Sequence, residues 1–208
     1  MATPTFDPAR AALIVIDMQN GFCSHDGSIA RIGLDVGALH AAIAPCRALL
    51  AAARLAGMPV IHTRYVYAAD HADGGLLVNQ LMPGLRAERA LLAGTWDAEI
   101  VDELAPVAGE TVIDKNRPSA FFRTPLDEGL AAGKVEQLVV CGVTTNCCVE
   151  STVRDASQRD IVPFVVADAT AELDPARHDA ALATIALLFG WPVDSSVVLT
   201  TLAKAAAA

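Results

Sequence analysis

Five short apolar runs, separated by segments of helical spacing, constrain this chain more than any other feature. They cover residues 11–17, 59–63, 110–114, 137–141 and 161–167. Continuous apolar runs of this length suit strands that are covered on both faces. Between them, residues 34–55 carry apolar side chains at helical spacing and stop at Gly57. Residues 125–132 stop at Gly133, residues 145–158 read as helical, and residues 175–189 open on a proline and close at Gly190. A proline at the first turn and a glycine past the last are the expected helix punctuation. Pro163 is best tolerated near the start of its strand. Residues 196–200 read as a short sixth strand, and the Ala-rich residues 202–208 as a frayed end. This alternation predicts one α/β domain spanning residues 1–208, with its core over about 9–200. Its architecture is expected to be a three-layer α/β/α stack around a mostly parallel, six-stranded, Rossmann-like sheet.

In such sheets, sites form beyond the carboxyl ends of the strands. Asp17, Lys115 and the Cys147/Cys148 pair all fall at or just after such ends. The cysteines sit in Gly142-Val-Thr-Thr-Asn-Cys-Cys-Val-Glu-Ser-Thr152, a strand-to-helix turn. There the first amides of a helix point outward unpaired, which favours a thiolate and an oxyanion together. Taken singly, the aspartate reads as a turn residue, the lysine as a solvated side chain and a cysteine as core. The turn that carries the cysteine pair, favouring a thiolate and an oxyanion together, is what points to a cysteine-dependent hydrolase.

Charge and composition exclude other classes. A net charge of −9 with scattered basic residues argues against nucleic acid or an anionic membrane as partner. The N-terminal residues lack a charged segment followed by an apolar one, and the apolar runs look too short for a bilayer. Five cysteines, an odd number without a Cys-x-x-Cys pair, do not make a disulfide scaffold, so a reducing cytoplasm is expected.

Three segments resemble the isochorismatase-like cysteine hydrolase superfamily. They are Leu13-Ile-Val-Ile-Asp-Met-Gln-Asn-Gly-Phe22, Ile113-Asp-Lys-Asn-Arg-Pro-Ser-Ala-Phe-Phe122 and Val140-Cys-Gly-Val-Thr-Thr-Asn-Cys-Cys-Val-Glu-Ser-Thr-Val-Arg-Asp-Ala156. Their order and spacing hold across nearly the whole chain, and N-carbamoylsarcosine amidase and ureidoacrylate amidohydrolase are the most similar kinds of member. The resemblance implies a triad of Asp17, Lys115 and Cys148, with the nucleophile at Cys148 rather than Cys147. It implies an oxyanion hole from the backbone amides of Thr144 and Cys148, with a non-proline cis peptide at Val143-Thr144. It further implies cleavage of a C–N bond in a small amide, ureido or carbamoyl substrate through a thioester, and a homodimer or homotetramer.

Phe22, Tyr65, Tyr67, Trp96, Arg117 and Phe121 are candidates for the substrate-binding wall, and residues 65–109 are expected to cover the site. Cys23, His25 and Asp168 are further residues that could reach it. No metal and no cofactor are expected. Nicotinamidases carry a Thr-x-Asp-x-His stretch after the second strand, and His62-Thr-Arg-Tyr-Val-Tyr67 does not match it. Two alternatives stand beside the amidase reading. One is isochorismatase-type vinyl ether hydrolysis, with Arg64, Arg117 and Arg123 available to a dicarboxylate. The other is an inactive ligand-binding relative.

Overall fold

A computed structural model describes residues 5–207. The sequence reading of the first residues, 1–4, lies outside them. Six strands form one sheet: β1 (Ala11–Ile16), β2 (Val60–Tyr65), β3 (Thr111–Lys115), β4 (Gln137–Val143), β5 (Val162–Ala171) and β6 (Trp191–Val193). Their order is β3-β2-β1-β4-β5-β6 and every pairing is parallel. The chain therefore builds outward from β1 in one direction, then returns to its other side with β4. The switch point lies between β1 and β4, where open α/β sheets place their ligands.

All six residues of β1 are buried, as a central strand covered on both faces requires. On one face, the helix Ile43–Leu55 buries Cys46, Leu49, Leu50 and Ala53, a single stripe at helical spacing. It packs against the helix Ser195–Ala206 and against β1, β2 and β4. On the other face, the helices Glu150–Ser157 and Pro175–Leu188 touch each other and the β5–β6 side. The second of these is capped by the Asp174 carboxylate, which accepts from the Ala176 amide at 2.8 Å, and it carries Pro175 in its first turn.

Gly142 shows how tightly the centre is drawn. Its φ is 112°, and a Cβ there would lie 2.1 Å from the Ile16 carbonyl oxygen on β1. Beside it the β4–β5 register shifts between Val140 and Gly142. Such a bulge bends a strand and re-aims the residues beyond it, here the turn that carries Cys148.

Three readings of the sequence need correction. Residues 196–200 belong to a helix, and the sixth strand is Trp191–Val193. The tail is no frayed end as far as it is described, since that helix runs to Ala206 and buries Leu202. The helical stretch at residues 34–55 begins at Gly37, and Gly37–Leu55 is long and apolar enough, by length and composition, to cross a membrane. It lies instead along the sheet with its apolar stripe in the core.

Candidate active site

Asp17 follows β1 directly and is fully buried. Its φ of 51° is left-handed, a conformation that aspartate tolerates better than most residues. The turn is held by Thr63 on the adjacent strand β2, which accepts the Asp17 amide at its carbonyl and at its hydroxyl oxygen, both at 3.2 Å. The same hydroxyl donates to Asp17 Oδ1 at 2.7 Å, and Lys115 Nζ donates to Oδ2 at 2.6 Å. Each carboxylate oxygen thus has a partner, which a buried charge requires.

Lys115 ends β3, two strands away from β1. Its side chain, fully buried, passes the end of β2 with Nζ 4.3 Å from the centre of the Tyr65 ring. Nζ also donates to the Arg117 carbonyl at 3.2 Å. Burial alone pulls the ammonium down, but Asp17 and Cys148 beside it outweigh burial, and its pKa is raised. The lysine is therefore held charged without solvent.

Cys148 lies in the turn Thr145–Val149, which is wider than an α-helical turn. The Thr144 carbonyl accepts from the amides of Cys147 and Val149. Its two bonds straddle the Cys148 amide between them. Widened turns of this kind recur at functional sites. The helix beyond anchors the turn: Thr152 Oγ1 donates to the Cys148 carbonyl at 2.7 Å and accepts from the Ala120 amide at 3.0 Å. The peptide Val143-Thr144 is cis. The neighbouring Cys147 thiol and burial both hold the Cys148 thiol well above its ordinary pKa, while Lys115 pulls the other way.

A cavity of about 170 Å³ opens beside these groups. Phe22, Tyr65, Tyr67, Thr144, Cys147 and Cys148 line it, and the remainder of its wall is aliphatic. Leu77, Met82, Leu85 and Leu91 come from the long connection between β2 and β3, so that connection does cover the site. Trp96, Arg117 and Phe121 are placed elsewhere. Trp96 is half exposed, with its carbonyl accepting from Asn20. Arg117 donates to the carbonyls of Asp73 and Asn116 and lines an outer groove that shares Tyr67 with the cavity and also reaches Lys115. Phe121 is buried under the Arg159 guanidinium, 4.6 Å from its ring centre.

Cys23 is buried away from the cavity, its thiol pushed up chiefly by burial. His25 stacks near His40. Asp168 accepts from the amide of Ser195 at 2.7 Å and from its hydroxyl, fastening the last helix.

Two supporting residues escaped the sequence reading. Thr63 bonds Asp17 from the neighbouring strand, and its only sequence signal is a polar side chain where an apolar strand ends. Gln19 is fully buried; its amide donates to the carbonyls of Tyr65 and Ala98, and its oxygen accepts from the Tyr65 amide at 2.6 Å. It thereby fixes the ring under Lys115. Leu173, which follows β5 into the cavity wall, carried no signal at all.

Comparison with known proteins settles the family. The isochorismatase domain model matches residues 11–197. The chain belongs to the isochorismatase family. Among relatives, the ureidoacrylate amidohydrolase RutB of Methylobacterium radiotolerans is 42% identical over 202 residues, covering 90% of this chain and 78% of the relative. RutB of Cronobacter turicensis is 37% identical over 100% of this chain and 96% of its own. Among solved structures, a cysteine hydrolase from Pseudomonas syringae pv. phaseolicola superposes with a TM-score of 0.87 at 30% identity, covering 99% of this chain and 100% of that one. N-carbamoylsarcosine amidase from Thermoplasma acidophilum superposes with a TM-score of 0.73 at 27% identity, covering 89% and 96%. Across the family match lie all of β1 to β6 and the whole cavity wall.

Proposed function

We propose that this isochorismatase-family chain is a cysteine amidohydrolase that cleaves the C–N bond of a small amide, ureido or carbamoyl compound. The carrying observation is the Asp17–Lys115 pair, 2.6 Å apart and fully buried, at the edge of a cavity that Cys148 lines. Relatives named as amidohydrolases over most of the chain support the same reaction class.

In this mechanism Asp17 accepts the Cys148 proton as the sulfur attacks the substrate carbonyl carbon. The carbonyl π electrons move to oxygen, and the amides of Thr144 and Cys148 receive that oxyanion. The oxyanion collapses, the C–N bond breaks, and Asp17 returns the proton to the departing nitrogen. Ammonia or an amine leaves and a thioester remains. Water then attacks the thioester and gives its proton to Asp17. The C–S bond breaks, the acid departs, and the proton returns to sulfur. Lys115 keeps Asp17 anionic when the thiol must be deprotonated and balances the charge that develops on sulfur. A Cys148 thiol raised by its Cys147 neighbour and by burial fits this scheme, because proton transfer then accompanies attack.

The five cysteines are all free, which suits a reducing compartment. A homo-oligomer is part of this reading; Leu187, Leu188 and Trp191 form exposed apolar surface that would suit an interface.

Ammonia release is measured on a panel of small amides, ureido acids, carbamoyl amino acids and nicotinamide, for the wild type and for Cys148→Ala. Turnover of a panel member by the wild type, reduced at least ~10⁴-fold by the substitution, is expected. Activity that survives Cys148→Ala removes the proposed nucleophile.

A further inference from the structure

The polar machinery and the cavity wall do not match in character. Beyond the catalytic turn, the wall consists of Phe22, the two tyrosines and aliphatic side chains, with no arginine, lysine or histidine among its lining residues. The nearest cations lie outside that wall, and Arg123, in the neighbouring groove, rests its guanidinium on the Phe122 ring. Lys115 is bonded to Asp17 and the Arg117 carbonyl, and the Arg117 guanidinium is held by two carbonyls in the outer groove. A substrate carboxylate seated here would lose its water and find no counter-charge, the arrangement proteins avoid.

One wall residue has an unspent polar group. Tyr67 is 1% exposed, and among the described residues its hydroxyl has no well-formed hydrogen bond, although the Tyr65 phenol lies close enough to influence it. Buried hydroxyls are nearly always paired, so an orphan in the wall of a reaction cavity calls for an explanation. Burial holds this phenol up at about 12, so it stays a neutral donor across the working pH range. Volume sets the remaining limit. A space of about 170 Å³ is small for a ligand cavity and suits only a small acyl group.

We propose that the cavity selects a small, uncharged, apolar acyl group, and that the Tyr67 hydroxyl donates its missing hydrogen bond to a polar atom of that substrate. The substrate class is thus a small aliphatic or unsaturated neutral amide, and ureido or carbamoyl compounds that carry a carboxylate are rejected. The inference rests on the cysteine-amidase reading and narrows it. Tyr67 is a specificity-determining residue here. It binds the substrate and takes no part in proton transfer to or from sulfur.

The test compares matched pairs that differ only by a terminal carboxylate, such as a four-carbon aliphatic amide and its dicarboxylic half-amide. Binding to Cys148→Ala is followed by calorimetry, and turnover by the wild type through ammonia release. The neutral member is expected to bind and to react at least ~100-fold better, a discrimination within reach of a site that leaves a polar group unpaired. In Tyr67→Phe, KM for the neutral amide is expected to rise about tenfold with kcat little changed, the loss of about one hydrogen bond. Near-equal or better binding and turnover of the carboxylate-bearing member, still dependent on Cys148, would overturn the proposal and leave the amidase reading intact. An unchanged KM in Tyr67→Phe would overturn the role given to the hydroxyl. Calorimetric selection of the neutral member without turnover of either would support the cavity's preference while removing the amidase reading.

Discussion

Two clusters of buried charge sit at opposite ends of β3, and they are built for different ends. Beyond its carboxyl end, Lys115 and Asp17 form a single ammonium–carboxylate contact, supported by one hydroxyl and bordered by a thiol and a cavity. Just before its amino end, Glu110 is gripped on every side. Arg54 reaches both of its oxygens, at 2.7 and 2.9 Å, while His62 Nε2 and the Val107 amide contact Oε2, each at 3.0 Å. The Glu110 cluster ties the helix Ile43–Leu55 to β2 and the entry to β3, and none of its members lines the cavity. One arrangement has spent its hydrogen-bonding capacity on structure. The other keeps a charged pair next to a reactive atom. A strongly bonded ion pair therefore marks a functional site only where a cavity and an uncommitted group lie beside it.

The largest expected effect breaks the carboxyl-end pair. Lys115→Met leaves Asp17 buried with only Thr63 for company. It is expected to lower kcat/KM by ~10³-fold or more and stability by about 3–5 kcal/mol, the cost of an uncompensated buried charge. The double variant Asp17→Asn/Lys115→Met removes both charges. It should regain most of that stability in urea melts while remaining inactive. A double variant as unstable as the single one would show that the pair acts mainly as a structural bond, like its counterpart at the other end.

The converse substitution is Glu110→Ala. It removes a carboxylate with four contacts and is expected to cost about 1.5–3 kcal/mol in urea melts, because Arg54 can still reach water. Its kcat/KM, assayed well below the new melting temperature, should stay within about twofold of the wild type. A large fall in kcat would mean that the two clusters communicate along β3.

Thr63→Val tests how finely the active pair is positioned. The substitution keeps the shape and deletes the hydroxyl that donates to Asp17 Oδ1. A loss of about tenfold in kcat/KM is expected, with about 1 kcal/mol of stability. The diagnostic readout is the comparison with Thr63→Ser, which keeps the hydroxyl and should restore most of kcat/KM. A loss in Thr63→Ser as large as that in Thr63→Val would assign Thr63 a packing role alone.

Legibility in the sequence divides along similar lines. Strand ends were readable because apolar runs stop at charged or polar residues, and the triad candidates sat at those stops. The sixth strand was not readable. Val197, Val198, Thr200 and Thr201 suggest a strand by their β-branching, yet Val198 and Leu202, four apart, bury one face of a helix against Ile43–Leu55. Tertiary packing overrode local preference there. The true strand is three residues long, lies at the sheet edge and contains Pro192, tolerable only in such a place. The cavity wall was half legible. Phe22, Tyr65 and Tyr67 follow strand ends closely, and that position alone marks them. Leu77, Met82, Leu85 and Leu173 belong to connections whose path no periodicity records. Trp96, Arg117 and Phe121 drew attention by residue type and by lying in or beside segments that resemble the family, and neither tells an inward side chain from an outward one.

The smallest expected effect separates the two clusters by pH. Glu110 is held at about 2, first by Arg54, against an ordinary value of 4.5. A depressed carboxylate lends stability above its unfolded value and loses it as pH falls through the folded one. His62 is lowered chiefly by burial. It binds fewer protons folded than unfolded, so it too loses stability in acid. Lys115 is raised, and its contribution is complete below the unfolded value and fades only as pH climbs through the folded one. The amino-end cluster should thus govern acid unfolding and the carboxyl-end pair the alkaline limit. Melting Glu110→Gln between about pH 5 and 2 should give a shallower decline than the wild type. The double variant Asp17→Asn/Lys115→Met should flatten the alkaline decline above about pH 10, where the raised Lys115 loses its proton. If its alkaline limb matched that of the wild type, the division of labour between the two ends of β3 would rest on the cavity alone.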